Sequence, residues 1–490
     1  MENRILNAEL RKKTASVAEA AACIQNGMTV AFGGYTSSGY PKVIAEELAR
    51  RKAAGEELFI NVVSGANNGP LDTLLAKADI VCRRAPMIES RDMAAKINSG
   101  AVQYVEQQMS KVPRLLRTGF FGKIDVAVVE ALGIDEKGNI IPTSSVGMVP
   151  NLVAAAETVI VEINTAQPEA LAGLHDIYLP ADYPAGKPIP ISSVGQRIGR
   201  NVFSVDSRKI RFIVQSDKPD ETVPAAPAKG VIEKISANLF EFLEKEYPDR
   251  RLPPLQTGFG SLSAEIVKAI GNSGYTGIEF FCGGLQEANI ELIAQGKVRA
   301  ASTGSVQMTP RVMELLNSDT GAIRQTLVIR NGEITNSAEV VSRLAPITLT
   351  IGIEMDMYGN VNSSHIAGVN VVNGLGGGAN FAENAGLSIM LIQSENKDGA
   401  VSTIVPMVSH QDICEHDIDV VITENGVAEL RGKSDVERAK AIIENCAGRY
   451  REQLRDYFDR ACKKGGHHPQ LLDEAFSWHL RLKEKGTMLF

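Results

Sequence analysis

No apolar run in the 490 residues approaches the roughly 18 that a membrane-spanning helix needs. The opening stretch, MENRILNAELRKK, is charged throughout and has no apolar core of the kind that directs secretion. A basic surplus is missing too. The 51 Lys and Arg stand against 58 Asp and Glu, a formal net charge of −7. That balance excludes the basic face of a nucleic-acid binder and a polybasic membrane anchor. The six cysteines (Cys23, Cys82, Cys282, Cys414, Cys446, Cys462) form no CxxC. They read as reduced, mostly buried thiols of a cytoplasmic protein. There is no G-x-S-x-G elbow, no Walker A loop, no low-complexity tract and no short-period repeat.

What is present is an alternation of short apolar runs with helical patterns. GMTVAFGG, LFINVVSG, IDVAVVEA and TVIVEIN are rich in β-branched residues, as strands covered on both faces must be. PKVIAEELARRKAAG and PLDTLLAKA read as helices between them. At 215–230, QSDKPDETVPAAPAKG is polar, carries three prolines and ends in glycine. The alternation then resumes in LQTGFGS, YTGIEFF, TLTIGIEMD, LSIMLIQS and DIDVVITENG. The expectation is an α/β protein of two open halves with mainly parallel sheets: a domain over 1–215, a linker over 216–230 and a second domain over 231–490. Near the C-terminus Ser434 and Glu437 fit a capping box. Tyr450, Leu454, Tyr457, Phe458 and Ala461 share one helical face.

Two glycine clusters stand where a strand gives way to a helix. In NGLGGGANFAENA, Gly374, Gly376 and Ala379 match G-x-G-x-x-A, but no acidic residue follows at the ribose-binding distance of a dinucleotide site. Gly258 and Gly260 in QTGFGSLSAEIV repeat the design. Amides at such turns can bind an anion or an oxyanion; ordinary αβ turns need glycine as well. His410, Cys414 and His416 do not have zinc spacing and include one thiol, so no metal centre is expected. His467 and His468 read as exposed.

Several long stretches carry a resemblance. GNVNSSHIAGVNVVNGLGGGANFAENAGLSIMLIQS, STIVPMVSHQDICEHDIDVVITENGVAELRG, AFGGYTSSGYPKVIAEEL and RRAPMIESRDMAAKINSGAVQYVE resemble the acetyl-CoA hydrolase/transferase family. The members they look most like are succinyl-CoA:acetate and propionyl-CoA:succinate CoA-transferases. The resemblance implies a class I CoA-transferase fold with the acyl-CoA site between its halves, usually as a homodimer. The partners are then an acyl-CoA and a small carboxylate, with no nucleic acid or membrane. Coenzyme A thioester is a substrate and no cofactor is permanently bound. The turn Gly258, Phe259, Gly260, Ser261 and Leu262 would lie near the thioester, with the Phe259 amide as one oxyanion donor and Gly377 as the other. Asn336 would touch the reacting carboxylate or thiol end, Lys397 a CoA phosphate, and Glu424 would be an acidic neighbour of the site.

One stretch departs from the family's pattern. EFFCGGLQEANIELIAQGKV, residues 279–298, places Gly283 where these transferases carry a glutamate that becomes a glutamyl-CoA thioester. Cys282 and Gly284 flank it. Glu279 lies four residues upstream in the strand, and Glu287 falls in the following helix. Without that glutamate the acceptor carboxylate can attack the thioester directly and form a mixed anhydride, positioning supplying roughly 7–11 kcal/mol. The α-subunit of citrate lyase, a related transferase, is similar in this respect. An acyl-CoA thioesterase, a non-catalytic CoA-binding protein and an acyltransferase using Cys282 remain as alternatives.

Overall fold

The computed structural model describes residues 2–66, 68–182, 184–222, 224–318 and 321–490, with the side chains of Glu2 and Lys397 outside the described set. The chain forms two compact units, each built from several segments. The first comprises Met1–Pro224, Glu279–Leu344 and Val372–Gly377; the second comprises Ala225–Ile278, Ala345–Val371 and Gly378–Phe490. The break at Pro224 falls in the expected 216–230 segment. Beyond it the chain returns twice to the first unit, which a division into consecutive halves does not anticipate.

The first unit is organised by a seven-stranded sheet of β1 (Thr29–Phe32), β2 (Ile60–Ser64), β3 (Val81–Ala85), β4 (Gln103–Tyr104), β5 (Ile124–Ala131), β6 (Ala156–Asn164) and β7 (Ile210–Ser216). Its order is β7-β6-β5-β1-β2-β3-β4, and every pairing is parallel. Seven of the eight residues of IDVAVVEA are buried, as a strand covered on both faces requires. Helices Val43–Ala53, Gly69–Lys77 and Arg91–Asn98 make the crossovers. The second of these starts where the Asn68 side chain accepts from Leu71 N at 3.4 Å, with Pro70 in its first turn. The same unit holds the adjacent strands Glu279–Cys282 (the run begins at Ile278), Val298–Thr303, Leu327–Arg330 and His175–Asp176.

In the second unit strands Leu255–Gln256, Ile347–Ile351, Leu387–Leu391 and Val420–Thr423 pair in parallel, and Gly426–Glu429 adds an antiparallel edge through the two-residue turn Glu424-Asn425. The capping box at Ser434 is formed, Ser434 N donating to Glu437 at 2.8 Å. The predicted face of helix Arg451–Lys464 is buried together with Tyr450 and Trp478. Among the described residues no helix is long and apolar enough to cross a membrane.

In the expected linker over 216–230, Asp220 is buried in the first unit and pairs with Lys42. The expectation for the cysteines needs correction. Cys282 and Cys446 are fully buried, but Cys82 is exposed and the other three cysteines are half-buried. Few of the thiols therefore serve the core alone.

Candidate active site

Strand β1 is where the order of the seven-stranded sheet reverses: β2, β3 and β4 follow on one side, β5, β6 and β7 on the other. Open parallel sheets bind ligands outside the carboxyl ends of their strands at such a reversal. The chain leaves β1 through Gly33, Gly34 and Tyr35. Gly34 (φ 101°), Thr36 (51°), Ser37 (59°) and Gly39 (60°) all take left-handed backbone, which costs on the order of 1–2 kcal/mol at each of the two non-glycine positions. The loop is held by surrounding bonds. Tyr35 N donates to Ser38 O at 3.0 Å and Ser38 N to Tyr35 O at 3.1 Å. Ser145 Oγ donates to Ser38 O at 2.8 Å, and Gly69 N to Ser37 Oγ at 3.0 Å. Backbone strain of this kind clusters at active sites and ligand clamps.

That loop delivers Tyr35 into a slot lined by glycines. A Cβ at Gly147 would stand 2.6 Å from Tyr35 Cδ2, one at Gly304 3.6 Å from Tyr35 Cε1, and one at Gly283 3.3 Å from Tyr35 Oη. The tyrosine is 4% exposed. Its hydroxyl accepts a hydrogen bond from Asn336 Nδ2 at 3.0 Å. Burial pushes the phenol up to about 12 against the opposing pull of Asn336, so it is protonated at neutral pH. Sequence reading missed Tyr35, Gly147 and Gly304. The double glycine directly after an apolar strand in AFGGY was the available signal.

Gly283 directly follows the strand Ile278–Cys282, and its carbonyl accepts from Gly304 N at 3.0 Å. It is half-buried and Gly284 is buried, so this turn is less open than its glycines suggest. The backbone of Gly283 does not lie in the left-handed region. Conformation therefore does not demand glycine here; the approach of Tyr35 restricts the space. Cys282 is 0% exposed. Glu279 pairs with Arg299 at 3.0 Å, and Glu287 accepts from Thr309 Oγ1. Both carboxylates are thus engaged away from Gly283.

Of the remaining predicted residues, Asn336 and Gly377 belong to the first unit with Gly283. Asn336 caps the short helix Gly332–Thr335 and is 1% exposed. Gly377 follows a run fastened by Gly374 N donating to Ile88 O at 3.0 Å and Leu375 N to Glu106 Oε1 at 2.7 Å. Those two amides are taken, which assigns Gly374 a packing role rather than a dinucleotide one. Gly258, Phe259, Gly260, Ser261, Leu262, Lys397 and Glu424 belong to the second unit. Phe259 is 36% exposed in the turn ahead of helix Ser261–Asn272, with Gly260 at φ 99°. Glu424 accepts from Ser394 N at 3.0 Å and from Ser394 Oγ. Lys397 opens the turn Lys397–Gly399; its side chain lies outside the described residues. His410 pairs with Asp412 at 3.1 Å and stacks on His365. Cys414, Glu415 and His416 offer ligand atoms within 4.8 Å of one another. His467 is exposed, but His468 is not: its ring lies 3.6 Å from that of Tyr358.

The first unit also holds a buried ion cluster, Lys42 Nζ lying 2.6 Å from Glu130 and 2.8 Å from Asp220. Burial pushes Glu130 up to about 7 against the pull of Lys42. Burial also disfavours the Lys42 charge, but Asp220 and Glu130 together hold its pKa above the ordinary value. Lys42 and Asp220 line a pocket of about 710 Å³ with Tyr40, Leu71 and Met308. That pocket includes none of Tyr35, Gly283 and Asn336, so its size is no guide to the chemistry.

Residues 1–224 match the acetyl-CoA hydrolase/transferase N-terminal domain, and residues 313–458 match its C-terminal domain. The succinyl-CoA:acetate CoA-transferase of Clostridium kluyveri is 39% identical over 99% of this chain and 92% of its own. The chain belongs to the acetyl-CoA hydrolase/transferase family. An acetyl-CoA hydrolase of Kluyveromyces lactis is 34% identical, covering 100% of this chain and 98% of its own, so the family includes both activities. The solved 4-hydroxybutyrate CoA-transferase of Porphyromonas gingivalis superposes with a TM-score of 0.63 at 19% identity, over 92% of this chain and 98% of that one. At that identity it shows the fold: mixed α/β with mainly parallel sheets.

Proposed function

We propose that the protein is an acyl-CoA:carboxylate CoA-transferase that works without an enzyme-bound glutamyl thioester. The observation that carries this reading is Gly283. It follows its strand without a side chain, beside the Tyr35 hydroxyl to which Asn336 donates, while Glu279 and Glu287 are bonded elsewhere. The acceptor carboxylate then takes the nucleophile's part. One of its oxygens attacks the thioester carbonyl carbon, the C–S bond breaks, and CoA leaves as thiolate. The thiolate attacks the acceptor's carbonyl carbon in the resulting mixed anhydride. The bond between that carbon and the bridging oxygen breaks, and the oxygen leaves with the donor as its carboxylate. Atoms and charge balance without water or a net proton. In this reading the Gly377 amide donates to the oxyanion, the CoA thioester is a substrate, and no resident cofactor takes part. Cytoplasmic homodimers, checked by sizing, belong to the same reading.

Acyl-CoA hydrolysis is the second reading, favoured by the hydrolase among the relatives and by the same open position, which a water could occupy. Acetyl-CoA supplied with a panel of carboxylates separates the two: transfer yields a new acyl-CoA, hydrolysis yields free thiol alone. Direct transfer also requires both substrates to be bound together. Initial-rate plots should intersect, and protein mass after incubation with acyl-CoA should be unchanged. A covalent adduct of CoA mass would overturn the direct route.

A further inference from the structure

The Tyr35 hydroxyl beside Gly283 uses only part of its hydrogen-bonding capacity among the described residues. The orientation of the Asn336 amide follows from its neighbours. Its nitrogen lies 3.2 Å from the Gly332 carbonyl, which can only accept, and 3.0 Å from Tyr35 Oη. The phenol oxygen therefore accepts from Asn336, and its own proton has no acceptor among the described residues. The oxygen lies 3.3 Å from the place where a Cβ at Gly283 would stand, at the border of the space that the missing side chain leaves.

We propose that the Tyr35 hydroxyl donates a hydrogen bond to the acceptor carboxylate in the space beside Gly283. The assignment rests on the transfer reading and names the residue that binds the acceptor. Three features support it. A hydroxyl donor to a carboxylate is charge-assisted and about twice as strong as a neutral bond. The phenol keeps its proton at neutral pH because burial raises its pKa, so it neither repels the carboxylate nor competes as a nucleophile. The ring is fixed against Gly147, where a Cβ would stand 2.6 Å from Tyr35 Cδ2, and by the bonded loop that carries it, so the donor is held in place before the acceptor arrives.

Tyr35→Phe tests this because it removes one oxygen and leaves the ring in its slot. Asn336 Nδ2 keeps the Gly332 carbonyl and Thr335 Oγ1 as acceptors, so the fold is retained. Two measurements compare the variant with wild type: dissociation constants of acetate, propionate and succinate by ligand-observed NMR, and KM for acceptor and for acyl-CoA in the transfer assay. The expected result is acceptor binding weakened roughly tenfold to a hundredfold, as for a lost charge-assisted hydrogen bond, with acyl-CoA KM changed less than about twofold. Equal carboxylate binding by both proteins, or none by the wild type, overturns the assignment. Weaker binding in the variant while the wild type only hydrolyses acyl-CoA would overturn the transfer reading and leave Tyr35 as a carboxylate donor.

Discussion

A side chain at Gly374 would place its Cβ 2.1 Å from Met87 Cγ. The glycine is thus required by a packed methionine, and Gly374 N is bonded to Ile88 O beside it. Gly374→Ala should destabilise the protein by about 1–3 kcal/mol, the usual cost of overpacking, as read by urea unfolding. Met87 is half-buried, so Met87→Ala should cost less. The double variant should be more stable than the sum of the single changes predicts, because Met87→Ala removes the 2.1 Å contact with Cγ and leaves only those with Cβ at 2.9 Å and Cα at 3.0 Å. Additive losses would mean that Met87 does not set the glycine requirement.

The strands were legible because they are short, β-branched and buried on both faces; IDVAVVEA was bounded to the residue. The glycine turn before helix Ser261–Asn272 and the capping box at Ser434 were legible because local chemistry fixes them. Other features depend on contacts distant in the chain. Asp220 reads as linker because its partner Lys42 is 178 positions away (220 minus 42). Tyr35 shows no local pattern, because Gly147, Gly283, Gly304 and Asn336 arrive from elsewhere. The compact units interleave, which no composition break along the sequence marks.

Gly283→Glu would put a carboxylate where the transfer reading places the acceptor. Its backbone is not left-handed, so no conformational strain opposes the change. The Cβ meets Tyr35 Oη at 3.3 Å, a contact that a shift of a few tenths of an ångström relieves. The variant should be soluble, trap CoA as a glutamyl thioester visible in the protein mass, and lose transfer to free carboxylates. Full native activity in a folded, CoA-binding variant would show that the acceptor does not use this space.

Lys42 is a single cation between two buried carboxylates. Lys42→Met leaves Glu130 and Asp220 buried together, and breaking such a cluster typically costs about 3–5 kcal/mol. Glu130 is already raised to about 7 by burial. Its folded pKa exceeds the unfolded value of 4.5, so its contribution to stability is full below 4.5 and is lost as pH rises through about 7. Removing Lys42 raises that pKa further. The Lys42→Met loss should therefore be smaller at pH 5, where Glu130 is protonated, than at pH 8. Denaturation at the two pH values measures the difference, and an equal loss would mean that Glu130 is not the group left unpaired.

Glu354 gives the opposite pH dependence in the second unit. Its Oε2 lies 2.6 Å from His479 Nε2, and its Oε1 accepts from Ser409 N at 2.8 Å and from Ser409 Oγ at 2.7 Å. Burial alone would raise this carboxyl, but the bonds from His479 and Ser409 hold it below the ordinary value. A depressed carboxylate adds stability that is present above its unfolded pKa and lost as pH falls through its folded one. His479 belongs to helix Ser477–Lys485, with Trp478 packed in the core beside it, so the pair fastens the C-terminal helix to the strand Glu354–Asp356. Glu354→Gln removes the charge and leaves an amide in nearly the same shape. It should lower stability at pH 7 by about 1.5–3 kcal/mol, the usual worth of a hydrogen bond to a charged group. It should also flatten the fall in stability that the wild type shows below about pH 4.5, since Gln cannot titrate. Amide exchange in residues 477–485 should rise in step, because the helix loses its polar anchor. Unchanged exchange there, with the global loss intact, would mean that Glu354 stabilises its own strand and Ser409 rather than the helix.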